Sequence, residues 1–99
     1  MPEHPLKTLE RLDPRLFRLV DDTRQFALND GALPRKFKLL IALALDAAHG
    51  ATDGVESLAK AAMQAGATKE EIAEALRVAQ YISGVGSVYT ASRALKELF

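Results

Sequence analysis

Apolar residues recur along this chain at helical spacing and never in strict alternation. Two segments each place apolar side chains at positions i, i+3, i+4, i+7 and beyond, which is typical of a helix with one face in a core. The members of these two stripes are Val55, Leu58, Ala59, Ala62 and Met63, and then Ile72, Ala75, Leu76, Ala79 and Ile82. No segment alternates with period two, so the pattern predicts an all-α fold of about five or six helices.

The first half of the chain carries its own helix boundaries. Asp13-Pro14 predicts a helix start, because Asp accepts from free N–H groups and Pro loses nothing at the first helical position. This helix is expected to run to about Leu28, after a shorter helical piece at residues 6–12, and to end at the Asn-Asp-Gly sequence of residues 29–31. Its apolar positions, which we expect to share a face, are Leu16, Phe17, Val20 and Leu28. Pro34 opens a second long helix.

Residues 39–45 form an uninterrupted apolar run, LLIALAL. Such a run is also compatible with a buried strand, but it is rich in Ala and Leu, with Ile41 as its one β-branched residue, and it continues into further helix formers. We therefore predict a helix that is apolar all round, hence central in the fold, ending at Gly50.

The second half contains two capping-box patterns and two glycine stops. Asp53 with Glu56, and Thr68 with Glu71, each have the spacing in which a side chain and a backbone N–H satisfy each other at a helix start. Gly66 and Gly84 are expected to end the helices that follow these boxes. Ser87 is predicted to cap a last helix, whose inward residues are Val88, Ala91, Leu95 and Leu98.

Composition narrows the classes of function. A chain of 99 residues allows one domain, which we expect to span residues 1–99. Its 13 basic and 13 acidic residues give no net charge, which argues against a nucleic-acid partner. There is no cysteine, which excludes disulfides and thiolate chemistry. No signal pattern or apolar stretch of membrane-spanning length is present, so we expect a cytoplasmic protein without a membrane partner.

Three segments of the sequence resemble the carboxymuconolactone decarboxylase family, which includes the alkyl-hydroperoxidase D-like proteins. Residues 40–45 read LIALAL, residues 65–76 read AGATKEEIAEAL, and residues 81–86 read YISGVG. The resemblance extends over about residues 12–97. It implies an all-helical fold, built on helical hairpins, that assembles as trimers or hexamers, so that the expected partner is a second copy of the chain.

The same resemblance places the family's functional positions on residues that carry no titratable group. Redox members have a Glu, a Cys-x-x-Cys pair and a His, and these positions fall on Leu39, Ala51, Gly54 and Leu58. Decarboxylating members keep the His, which is again replaced by Leu58. Peroxide reduction by thiols needs an attacking thiolate and a resolving thiol, and the chain has neither. We therefore expect a homo-oligomeric scaffold or binding protein without peroxidase activity, in which Leu39 and Leu58 fill the former pocket.

Other candidate chemistry is sparse. His49 could act as a general base oriented by Asp46, three residues earlier, or by Asp53, with Tyr81 as a hydroxyl donor; this would make the chain a small-molecule lyase or isomerase. The alternative is that His49 is a cation at a helix C-terminus, favoured there by the helix dipole. One His with carboxylates is a weak metal pattern, and we expect no metal and no cofactor. A third hypothesis is an engineered self-assembling component, paired with a second protein subunit, designed or natural.

Overall fold

A computed structural model describes residues 6–99, and within these residues the protein is entirely α-helical. The six helices are α1 (Leu6–Leu12), α2 (Pro14–Leu28), α3 (Arg35–Ala48), α4 (Thr52–Gln64), α5 (Lys69–Ser83) and α6 (Gly86–Leu95). The predicted all-α class and number of helices are confirmed.

Most of the predicted helix boundaries are present, with the expected chemistry. The Oδ1 atom of Asp13 accepts from the backbone N–H of Leu16 at 3.1 Å, directly before Pro14. At the start of α5, the Thr68 hydroxyl accepts from the Glu71 N–H at 3.1 Å, and the Glu71 carboxylate accepts from the Thr68 N–H at 2.8 Å. The helix stops at Gly50, Gly66 and Gly84 all have positive φ angles, 76°, 99° and 87°. Glycine adopts this conformation without a steric penalty.

Two predicted caps are wrong. Helix α4 begins at Thr52, with Ala51 in the cap position, so Asp53 lies inside the first turn instead of capping it. Its negative charge still suits that end of the helix dipole. Helix α6 begins at Gly86, and Ser87 is buried within its first turn, where its hydroxyl donates to the Gly84 carbonyl at 2.8 Å.

Helix α3 is the centre of the fold and packs against α4, α5 and α6. The fully buried side chains at this centre include Leu39 and Leu43 of α3, Val55 of α4 and Ile72 of α5. The remaining core is rich in small residues, with Ala47, Ala59, Ala62, Ala91 and Ala94 all buried. Small side chains allow the helix axes to approach closely, so this short chain forms a dense but small core.

The single chain buries less of the apolar pattern than predicted. Helix α3 is not buried all round, because Ile41 and Leu45 remain 51% and 55% exposed. Helix α2 has no buried residue at all. Other predicted inward residues are also exposed, namely Leu16, Val20, Met63, Ile82 and Val88. The spacing predicted apolar faces correctly, but in one chain each helix has neighbours on only part of its surface.

Helices α1 and α2 form a peripheral hairpin. They contact each other, and α2 contacts α3 through few residues, whereas α3 to α6 form the core. The α2 side chains Phe17 and Leu28 are half-buried beneath the hairpin. The hairpin therefore covers the α3–α4 layer without sealing onto it, which leaves a cleft between them.

One ion pair joins the starts of two core helices. The Lys36 Nζ of α3 donates to the Glu71 Oε2 of α5 at 3.0 Å, and Glu71 also belongs to the α5 capping box. The bond from the Thr68 backbone, followed by the bond from Lys36, holds the pKa of the Glu71 carboxyl below its ordinary value.

This lowered pKa predicts a loss of stability in acid. A carboxyl with a folded pKa below its unfolded value contributes stability at neutral pH, and the contribution disappears as pH falls through the folded pKa. We expect the melting temperature to fall as pH is lowered from about 5 toward about 3, around the ordinary Glu pKa of about 4.3. In Glu71→Gln this dependence should be shallower. A Glu71→Gln profile parallel to that of the unmodified protein would contradict the assignment, and Glu74→Gln, at an exposed site in the same helix, is the matched control.

Candidate functional site

The four positions that the resemblance singles out are only partly brought together. Leu39 of α3 is buried, with 1% exposure, and Leu58 of α4 is half-buried, and both line the cleft beneath the α1–α2 hairpin. Ala51 and Gly54, at the start of α4, are half-buried and do not line it. Leu39 and Leu58 thus contribute apolar surface to the cleft, but they do not fill it.

Asp46 occupies the space beside Gly54. Its carboxylate lies where a Cβ atom on Gly54 would be placed, and its Cγ would be 2.9 Å from that atom. The backbone carbonyl of Asp46 also accepts from the Ala51 N–H at 2.9 Å, which holds the α3–α4 turn against the start of α4. A side chain at position 54, including a cysteine, therefore requires Asp46 to move.

The structure does not bring the candidate acid–base residues into contact with one another. His49 is exposed at the C-cap of α3, and within the described residues no hydrogen bond or ion pair links its imidazole to Asp46 or Asp53. Tyr81, on α5, is 82% exposed. Neither His49 nor Tyr81 lines the cleft. Their positions are those of a polar helix end and an exposed helix face, so the arrangement offers no enclosed place for a substrate near either group.

The cleft, which Leu39 and Leu58 help to line, has a volume of about 450 Å³. This is within the range of small-molecule sites, roughly 300–1,000 Å³. The apolar side chains lining it are Leu6, Phe17, Leu28, Leu39, Leu58 and Ala61. The polar ones are Lys7, Asp21, Arg24, Arg35, Ser57, Lys60 and Gln64. Sequence analysis missed this combination, because its members come from four helices and share no spacing.

The ionised groups around the cleft are unequally paired. Arg24 donates to Asp21 at 2.7 Å, and this hydrogen bond lowers the pKa of the Asp21 carboxyl, with a further contribution from Gln25. Lys7 lies 3.6 Å from a Glu10 oxygen. Arg35 and Lys60 are different, because neither side chain has a hydrogen-bond or ion-pair partner in the part of the chain that the structure describes.

Two further features are absent from residues 6–99. No group of three or more His, Asp or Glu side chains is placed to hold a metal ion. None of the described helices combines the length and the apolar character needed to cross a bilayer.

Comparisons with known proteins agree with the fold. The model of the carboxymuconolactone decarboxylase family matches residues 14–97. The crystal structure of apo-lpg0406, a carboxymuconolactone decarboxylase family protein from Legionella pneumophila, is similar with a TM-score of 0.85 and 33% sequence identity. The match covers 92% of this chain and 81% of that one. A search of curated proteins finds no match. Because the family model spans nearly the whole helical region and the fold agrees, this cysteine-free chain belongs to the carboxymuconolactone decarboxylase family.

Proposed function

We propose that this protein is a self-assembling member of its family, a homo-oligomeric scaffold or binding protein that lacks thiol peroxidase activity. The observation that carries the proposal is a stripe on α3 made of Phe37, Ile41 and Leu45, which are 44%, 51% and 55% exposed. Residues spaced by four lie on one face of a helix, so these three side chains form a continuous apolar surface. We call it the α3 stripe.

The face of α3 opposite the α3 stripe packs into the core of the protein. Leu39, Leu43 and Ala47 are buried, while the α3 stripe is exposed, so α3 is apolar on two faces. A second apolar surface lies on α5 and the turn after it, formed by Val78, Tyr81, Ile82 and Val85, all more than half exposed. Extended apolar patches on a folded chain mark surfaces that bind a partner.

A second copy of the chain is the partner that fits the α3 stripe best. The chain has no net charge, so copies do not repel one another strongly. A chain of this length gains stability by burying more apolar surface than it can cover alone. The family resemblance adds trimers or hexamers as the expected assemblies. The interface should bury about 2,000 Å² or more, as is usual for obligate oligomers.

Light scattering coupled to size exclusion tests self-assembly. We expect a mass of three or six times the 10.8 kDa of one chain at micromolar concentration. Ile41→Glu places a charge in the α3 stripe and should shift the mass toward a single chain. The matched control is Ala73→Glu, on the polar side of α5 among Glu70, Glu74 and Arg77, which should leave the mass unchanged. A monomeric unmodified protein would overturn the proposal.

A hydroperoxide assay with a dithiol donor tests the missing activity. We expect the protein to consume hydroperoxide no faster than buffer does, because the chain offers no thiolate to attack the O–O bond. Dithiol-dependent turnover in the unmodified protein would contradict the proposal. A variant that reinstates the family's groups would carry Leu39→Glu, Ala51→Cys, Gly54→Cys and Leu58→His, and should also carry Asp46→Ala to make room at position 54.

A further inference from the structure

We propose that the cleft between the α1–α2 hairpin and the α3–α4 layer binds a small amphipathic carboxylate, with its apolar body on Leu39 and Leu58 and its anionic head at Arg35 and Lys60. The cleft lies within one chain, so this inference does not depend on self-assembly. On α3, Leu39 faces the cleft and Ile41 lies about 200° away around the helix, which separates the cleft from the α3 stripe.

The shape and lining of the cleft favour a ligand with an apolar body. Its volume of about 450 Å³ suits a small organic molecule, and three of its deeper side chains, Phe17, Leu39 and Leu58, are large and apolar. Phe17 and Leu58 are only half-buried, so a ligand there would remove further apolar surface from water. Each CH₂ group so buried adds a favourable transfer free energy, which a polar metabolite without an apolar body does not provide.

The charges around the cleft favour an anionic head. Among residues 6–99, Lys7, Arg24, Arg35 and Lys60 line the cleft, against a single carboxylate, Asp21, although the whole chain is electrically balanced. Asp21 is already bonded to Arg24.

Among the described residues that line the cleft, Arg35 and Lys60 are the two positively charged side chains without an acidic partner. Arg35 is half-buried at the first turn of α3, and its guanidinium has no acidic partner among the described residues. A half-buried guanidinium without a partner forgoes the strong hydrogen bonds that a carboxylate provides. Lys60, an exposed residue of α4, supplies a second positive charge on the same α3–α4 side of the cleft. A ligand carboxylate at this side of the cleft would give the Arg35 guanidinium the acidic partner that it lacks, and the Lys60 charge would favour the same anionic group.

Calorimetric titration with a matched ligand series tests the proposal on the unmodified protein. Octanoate has both the apolar alkyl chain and the carboxylate. The uncharged 1-octanol has the alkyl chain but no carboxylate, and acetate has the carboxylate but no long alkyl chain. We expect octanoate to bind about tenfold or more tightly than 1-octanol, and acetate to give no measurable binding. Equal affinities for octanoate and 1-octanol, or no binding of octanoate, would overturn the proposal.

Substitutions then locate the site. The double variant Arg35→Gln/Lys60→Gln should weaken octanoate binding about tenfold or more while leaving 1-octanol unaffected. Arg77→Gln, which removes an exposed cation from α5 outside the cleft, should change nothing. An equal effect of both charge changes would mean nonspecific attraction and would refute the assignment.

A filling substitution provides a second approach to the same site. Leu58→Trp should block octanoate, and amide NMR of the unmodified protein should show shifts at Ser57 and Ala61 when octanoate is added. If Leu58→Trp does not fold, as judged by circular dichroism, the NMR shifts decide the location. Shifts confined to α5 and α6 would overturn the proposal.

Discussion

Leu43→Ala is expected to lower the free energy of unfolding by about 2–5 kcal/mol. Leu43 has no exposed surface and lies on α3, which packs against α4, α5 and α6. Removing its isobutyl group forfeits the transfer free energy of the buried carbons and leaves a cavity that rigid helices cannot close. Among the large side chains that the structure describes, only Leu39, Ile72 and Val55 are comparably buried.

Denaturant unfolding at fixed protein concentration measures this cost, since the stability of an oligomer depends on concentration. Leu45→Ala is the matched control, the same substitution two residues along α3 at a position that is 55% exposed. Its effect within one folded chain should be small, and any part of it that varies with concentration belongs to self-assembly. Equal, concentration-independent losses for Leu43→Ala and Leu45→Ala would contradict the burial described above.

Leu58→Ala should cost less than Leu43→Ala. Leu58 is half-buried and already borders the open cleft, so truncation widens an existing space and creates no sealed cavity. The expectation that Leu58 fills a former pocket is therefore replaced by a role in the wall of the cleft.

The effect of Gly54→Ala on the free energy of unfolding is expected to depend on the residue at position 46. In a helix interior Ala is more favourable than Gly by about 1 kcal/mol. In this protein the new Cβ would meet the Asp46 carboxylate, which must rotate away from the start of α4 and lose its favourable position near the helix dipole. We expect Gly54→Ala to be neutral or destabilising alone. In an Asp46→Ala background it should be stabilising, by at most about 1 kcal/mol because Gly54 lies in the first turn of α4.

A double-mutant cycle over positions 46 and 54 isolates this contact. Denaturant unfolding of the four proteins should give a coupling of about 1–2 kcal/mol, within the range found for residues in contact. Additive effects would show that Asp46 moves at no cost. The comparison matters for function, because the resemblance places a cysteine of the redox members at position 54, and Asp46 now lies in that space.

Local features of the fold were predictable because they depend on neighbouring residues. The Asp13 cap, the Thr68–Glu71 capping box and the glycine stops at residues 50, 66 and 84 each involve groups within a few positions of one another. The two wrong caps show the limit of this reasoning. The tight turn at residues 49–51 starts α4 before Asp53 can cap it, and burial turns the Ser87 hydroxyl back to Gly84.

For the candidate site, the sequence predicted which of the family's functional groups are missing, but not the cleft that is present. The sequence by itself determined that the chain is all-helical and that it contains no thiol. The resemblance predicts that the family's functional positions fall on Leu39, Ala51, Gly54 and Leu58. The sequence also showed an apolar run over residues 39–45, but not which of its faces a single chain could cover. Periodicity reports the apolar faces of a helix and cannot report how many neighbouring helices are available to cover them.

Tertiary structure alone decided what surrounds those positions. It exposed Ile41 and Leu45, placed Asp46 against Gly54, and left a cleft with Arg35 and Lys60 on its α3–α4 side. These relations join residues that are distant in sequence, or they depend on the angle at which a peripheral hairpin meets the core. No local spacing encodes such an angle, because it is set by how side chains of different helices pack against each other.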